Sequence, residues 1–293
     1  MEEGRPSSTA MMTAMLRAAH LLWDDPPKIF EDPFALGLSG CANEAVLRAK
    51  LDGFLADLAA KADRSSAQAV IDTFRFAVVL RSRYVEDELA QALKQGVSQY
   101  VILGAGLDSF AYRVPDVAKT LRVFEVDHPS TQAWKRARLQ ELGVTIPPNL
   151  VFVPLDFQKQ SLTDGLRNRG YRSDTAGFFS WLGVTWYLTR EAIFDTLRAV
   201  ASMAPGTEII IQYHTATPSE EGGKKNLLRN WAAELGEPFV TVFDPTELEE
   251  QVRKLGFAEV RRFGQEEANT RYFANRSDGL RLRARVHFMT ARV

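Results

Sequence analysis

A short β-prone run, Gln99–Leu103, ends in Gly104-Ala105-Gly106-Leu107-Asp108-Ser109. About twenty residues later a second apolar run ends in acids, Phe124-Glu125-Val126-Asp127. Together these describe two neighbouring parallel strands of an α/β sheet. The glycines let a ligand approach the tip of the first strand, and an acid at the tip of the second can hold a ribose. A dinucleotide fingerprint asks for Gly or Ala where this chain has Ser109, because a small side chain lets the helix pack closely on its strand. The ligand is therefore read as a nucleoside, and not necessarily a dinucleotide.

The pattern recurs. Strands are expected at 99–103, 121–126, 149–155, 177–182 and 207–213, with helices at 129–142, 158–169 and 189–203 between them. Such alternation implies a parallel sheet covered on both faces, with right-handed crossovers. Ligands of such sheets bind beyond the carboxyl ends of the strands, where Gly104, Asp127, Asp156, Gly183 and His214 stand. Helices are expected upstream at 7–22, capped by Ser7 or Ser8, at 43–63 and at about 66–94. The last of these carries Arg75, Arg81 and Arg83. Downstream, 215–237 is polar and then helical, and 245–255 is a helix capped by Asp244 or Thr246. Two final strands, 259–263 and 283–290, are expected to pair antiparallel across a loop.

With 36 basic and 37 acidic residues the chain lacks the basic excess of a nucleic-acid binder. Arg281, Arg283 and Arg285 alternate, which reads as a solvated strand face. Cys41 is the single cysteine, so no disulfide forms within the chain, and a cytoplasmic setting is expected. The histidines, His20, His128, His214 and His287, lack metal-ligand spacing. No apolar run is long enough to span a membrane, and the N-terminus has no apolar secretion core.

Five parallel strands followed by helix, strand, loop and strand is the order of a seven-stranded, Rossmann-like methyltransferase sheet. The chain resembles the bacterial branch of the leucine carboxyl methyltransferase family, which includes polyketide O-methyltransferases. The resemblance rests on Ser8-Thr9-Ala10, Met15-Leu16-Arg17-Ala18, Asp32-Pro33-Phe34-Ala35 and Arg81-Ser82-Arg83-Tyr84. It continues through Leu103–Arg113, Phe124-Glu125-Val126-Asp127-His128-Pro129, Leu155-Asp156-Phe157 and Trp181–Leu188. It implies S-adenosyl-L-methionine as cofactor, with Arg81 (or Arg83) on the methionine carboxylate and Gly104 against the cofactor. It further implies Asp127, helped by Glu125, on the ribose, and Asp156 with Phe157 on the adenine. Phe157 stands where the family usually has Leu. Trp181-Leu182-Gly183-Val184 lacks the acid that many relatives carry after the fourth strand.

The chemistry of the residues agrees. Ribose hydroxyls donate hydrogen bonds, so a carboxylate is their natural partner. Asp127 could equally cap the helix that Pro129 opens, and Arg81 could pair with Glu86 or Asp87. His214, then Tyr187, are the candidate catalytic groups, needed only if the methyl acceptor must lose a proton. The reading is one methyltransferase domain over 1–293. It comprises an N-terminal helical lid (1–65), a cofactor core (66–214), a lid or insertion (215–245) and the last strands of the sheet (246–293). The expected activity is O-methylation of a small molecule, plausibly a carboxylate, with no metal, nucleic acid or membrane partner. An NAD-dependent oxidoreductase and a non-catalytic cofactor-binding protein are the rival readings.

Overall fold

The computed structural model describes residues 7–114, 117, 120–215, 227–282 and 286–293. A seven-stranded sheet forms its centre: β1 (Gln99–Leu103), β2 (Arg122–Asp127), β3 (Leu150–Pro154), β4 (Phe178–Trp181), β5 (Glu208–Tyr213), β6 (Glu259–Gly264) and β7 (His287–Arg292). Strand order is β3-β2-β1-β4-β5-β7-β6. β1 to β5 pair in parallel, and β7 runs antiparallel to both β5 and β6. The helices are α1 (Ser8–Trp23), α2 (Ala35–Leu38), α3 (Glu44–Ala59), α4 (Arg64–Lys94), α5 (Phe110–Arg113) and α6 (Pro129–Glu141). They continue with α7 (Leu162–Arg167), α8 (Arg190–Ala201), α9 (Leu227–Glu234), α10 (Pro245–Lys254) and α11 (Gln265–Tyr272).

Parallel strands buried on both faces need apolar residues in both alternating registers. Val101, Leu103, Phe124 and Val126 pack with Ile193 and Leu197 of α8 on one face. Ile102 and Val123 pack with Leu80 and Tyr84 of α4 on the other. Tyr84 pins α4 to the last two strands. Its ring stacks on Phe263 at 4.1 Å, and its hydroxyl lies 3.1 Å from that of Thr290. A satellite core, with Leu16, Leu47, Phe54 and Ile71, joins α1 and α3 to α4. The helix starts follow local chemistry: Ser7, Asn43, Asp63 and Asp244 each accept a backbone N–H of the first turn.

Two expectations change. The link between the last strands holds α11 rather than an open loop, because Gln265 and Asn269 on it both donate to the Leu282 carbonyl. The last strand runs over His287–Arg292, set by its register with β5 and β6. Of the alternating arginines, Arg283 and Arg285 lie outside the described residues, and Arg281 is exposed. Of the expected lid segments, 1–6 and 216–226 also lie outside them. Among the described residues no helix is long and apolar enough to cross a membrane.

Candidate active site

Strand order reverses between β1 and β4, and a cavity of about 720 Å³ opens there beyond the carboxyl ends of the strands. Its floor is the turn after β1. Gly104 has φ 66°, and a Cβ there would run into the Val184 side chain. Bare backbone is therefore required both by conformation and by space. The Gly104 and Ala105 N–H groups donate to the Val126 carbonyl at 2.8 and 3.1 Å, binding the two strand tips together.

Asp127 stands at the neighbouring tip. One carboxylate oxygen accepts the Gly106 N–H, and the other accepts the His128 N–H at 2.6 Å. Burial raises its pKa, while the two backbone donors pull the other way. Each oxygen keeps a lone pair for a ligand hydroxyl. Asp127 is not the cap of α6. His128 takes that role, its ring accepting the Ser130 N–H at 3.3 Å.

Arg81 reaches the cavity from α4. Glu86 pairs with Arg113 and Asp87 with Arg83, so neither competes for it. Among the described residues Arg81 has no hydrogen bond or ion pair. Burial and the nearby Arg17 guanidinium hold its pKa down to about 10, against the opposing pull of Tyr187 and Asp108. Its guanidinium lies on Gly183, which has φ 74°; a Cβ there would fall 3.0 Å from the Arg81 Cζ. Gly183, in the segment after the fourth strand that lacks an acid, thus makes room for the cation. Arg83 points away, at 2.9 Å from Asp87.

Asp156 and Phe157 follow β3 and line the same cavity. Asp156 accepts the Gln158 N–H at 3.0 Å and pairs with Lys159 at 3.3 Å. Although burial opposes it, these donors keep its pKa below the ordinary value. The Phe157 ring leans on Trp181 with centroids 5.8 Å apart. Glu125 is placed elsewhere. It is 1% exposed, does not line the cavity, and sits 2.6 Å from the buried Lys135 ammonium. Burial raises its pKa to about 7 despite Lys135. Glu125 shares its side of β2 with Asp127 but lies two residues below the strand tip, where Lys135 of α6 covers it and closes it off from the ligand space.

Tyr187 and His214 line the other end, with Trp186 and Phe239. Trp186 meets His214 edge-on at 4.3 Å, and Phe239 lies 5.0 Å from His214 and 5.5 Å from Tyr187. Burial raises the Tyr187 pKa, against Thr9 and Trp186 nearby. Cys41 is buried and outside the cavity.

Three contributors were missed by sequence reasoning. Arg17, 6% exposed, donates to Asp32 at 2.8 Å and to the Leu107 carbonyl at 2.6 Å, tying α1 to the turn after β1. Both Arg17 and Asp32 belong to motifs of the resemblance, which was the available signal. Glu237 accepts from the Ser8 and Thr9 N–H groups at 3.1 and 3.3 Å and so holds the start of α1 against the cavity roof. Gln212 of β5 also faces the cavity. Nothing local in the sequence marks the last two.

A reversed parallel sheet with an antiparallel strand beside its fifth member, and a ligand cavity at the reversal, define the class. The protein is an S-adenosyl-L-methionine-dependent methyltransferase. The chain belongs to the leucine carboxyl methyltransferase family, whose model matches residues 10–201. It is 32% identical over 304 residues to YktD of Bacillus subtilis, which bears the name of an S-adenosyl-L-methionine-dependent methyltransferase; the match covers 99% of each chain. It is 34% identical over 212 residues to Rv1729c of Mycobacterium tuberculosis, similarly named, covering 71% of this chain and 64% of that one. In fold it is similar to a methyltransferase structure from Thermobifida fusca, with TM-score 0.51, 19% identity, and coverage of 92% and 98%.

The cavity fits that cofactor. The turn at Gly104 leaves space that a side chain would fill, Arg81 is a cation with no ion pair among the described residues, and Asp127 keeps acceptor capacity at the tip of β2. These are the cation and the acceptor that a methionine carboxylate and a pair of ribose hydroxyls require.

Proposed function

We propose that this enzyme methylates a hydroxyl group on a small aromatic molecule. Arg81 takes the methionine carboxylate, Asp127 the ribose hydroxyls, Asp156 the adenine amino group, and Phe157 packs on the adenine ring. The bound cofactor supplies an electrophilic methyl group on a positively charged sulfur. The protein's own task is to align the acceptor oxygen with that methyl and to exclude water. The N-terminal helices and the segment around α9 serve as the lid, with Glu237 holding the two together. His214 accepts the hydroxyl proton as the oxygen reacts, and Tyr187 donates a hydrogen bond that orients it. A cytoplasmic setting accords with a single buried, unpaired cysteine.

The observation that carries this reading is the wall of rings formed by Trp186, Tyr187, His214 and Phe239. A carboxylate acceptor would need a second cation. Among the described lining residues Arg17 is held by Asp32 and Lys159 pairs with Asp156, which leaves Arg81 for the cofactor. A neutral aromatic hydroxyl fits such a wall without further charge. The test is methyl transfer from S-adenosyl-L-methionine to a panel of naphthols and matched naphthoic acids. Turnover of naphthols and not of the acids is expected; the reverse preference refutes the hydroxyl assignment. Calorimetry with S-adenosylhomocysteine and NAD separates the dehydrogenase reading, which requires NAD binding.

Asp127→Ala is expected to weaken S-adenosylhomocysteine binding by about 1–3 kcal/mol, through lost charge-assisted hydrogen bonds. Because burial raises the Asp127 pKa, wild-type affinity should fall on acidification at a pH above the usual aspartate range. The ionised form binds, so affinity is complete above that pKa and is lost below it. Calorimetry across pH checks both; affinity that is unchanged in the variant removes Asp127 from the ribose site.

A further inference from the structure

Gln212 is one of several described residues with a buried polar atom that packing leaves unpaired, and the one of them that carries an amide on the cavity wall. It is 7% exposed, lies on β5 and lines the cavity two residues before His214. Its main-chain carbonyl is used, accepting the Thr185 hydroxyl at 2.7 Å. Its side-chain oxygen has no donor among the described residues. A buried amide oxygen without a partner lowers stability, and an apolar side chain of the same length would suit a wall of rings better. Such a group is accounted for if a ligand completes it.

We propose that Gln212 is a specificity-determining residue that accepts a hydrogen bond from a second hydroxyl on the methyl acceptor. The enzyme then selects aromatic substrates bearing at least two hydroxyl groups. This rests on the hydroxyl-acceptor reading above. The ribose hydroxyls and the adenine amino group have assigned partners at the tips of β2 and β3, whereas Gln212 stands on β5 and lines the cavity with the aromatic wall. A site built around an unpaired acceptor discriminates sharply, because an analogue lacking the donor leaves the amide dry and unsatisfied.

The experiment compares wild type with Gln212→Met, an apolar substitution of similar length. Turnover is measured on matched pairs of a naphthalenediol and the corresponding naphthol, S-adenosylhomocysteine affinity by calorimetry, and the thermal midpoint by scanning. Wild type is expected to prefer the diol by about tenfold to a hundredfold in kcat/KM. Gln212→Met is expected to lose most of that preference, chiefly through the diol's KM. It should also keep its cofactor affinity within about twofold and unfold at the same or a higher temperature. Equal preference in both proteins overturns the proposal. So does a tenfold loss of S-adenosylhomocysteine affinity, which would give the amide to the cofactor. A markedly lower thermal midpoint would make Gln212 a structural residue instead. Wild type that binds S-adenosylhomocysteine yet methylates neither diol nor naphthol refutes the hydroxyl-acceptor reading itself. Turnover of naphthols without discrimination refutes only the role of Gln212.

Discussion

Arg81→Met is expected to weaken S-adenosylhomocysteine binding by about two orders of magnitude while leaving the fold intact. In the proposed role the guanidinium makes a two-point pair with the methionine carboxylate. Hydrogen bonds to charged groups contribute about 1.5–3 kcal/mol each, and each 1.4 kcal/mol is about tenfold in affinity. Arg81 is not part of any internal ion pair among the described residues, so its removal strands no buried carboxylate. The thermal midpoint of the ligand-free protein should therefore change little. Arg83→Met is the control: Arg83 pairs with Asp87 on the far side of α4, and cofactor affinity should stay at the wild-type value. Calorimetry on the two variants decides the matter. A loss confined to Arg83→Met would move the carboxylate site there.

The second large effect is on stability. Arg17→Met should destabilise the protein by about 3–5 kcal/mol, the cost of stranding one member of a buried pair. Asp32 is 1% exposed and would keep a buried charge without its ion-pair partner, with the Phe34 N–H as a remaining hydrogen bond and the Arg113 guanidinium, itself paired with Glu86, as the nearby cation. The same change frees the Leu107 carbonyl and loosens the turn that supports the cofactor. In Arg17→Met combined with Asp32→Asn the stranded charge is gone, and a substantial part of the loss should return. Denaturant unfolding of the single and double variants measures this. Additive losses would mean that the pair contributes nothing beyond its separate side chains.

Most of the fold was legible because it depends on local signals. Strand runs, caps and glycine turns are set by residues close in sequence, and the strand tips carrying Gly104, Asp127, Asp156 and His214 follow from them. The link before β7 was not legible. α11 depends on Gln265 and Asn269 meeting the Leu282 carbonyl, a contact that no periodicity announces. Glu125 shows a different limit. Its neighbourhood with Asp127 in sequence made it a ribose candidate, and the two acids do share a face of β2, but Glu125 lies two residues below the tip and burial against Lys135 took it out of the site.

The sequence by itself determined the class of ligand and the strand ends that meet it. A glycine turn, an acid one strand over and a cation on the preceding helix act through backbone geometry and formal charge, both readable residue by residue. Tertiary structure alone decided which groups remain available to a ligand. Arg17 is consumed by Asp32, Glu125 by Lys135 and Glu86 by Arg113, whereas Arg81 and Gln212 line the cavity, the former without an ion pair and the latter with its side-chain oxygen unpartnered among the described residues. That partition depends on contacts between residues up to hundreds of positions apart, as with Glu237 at the start of α1. Pairing in a folded interior is settled by distance and desolvation, and neither is written in the order of the residues.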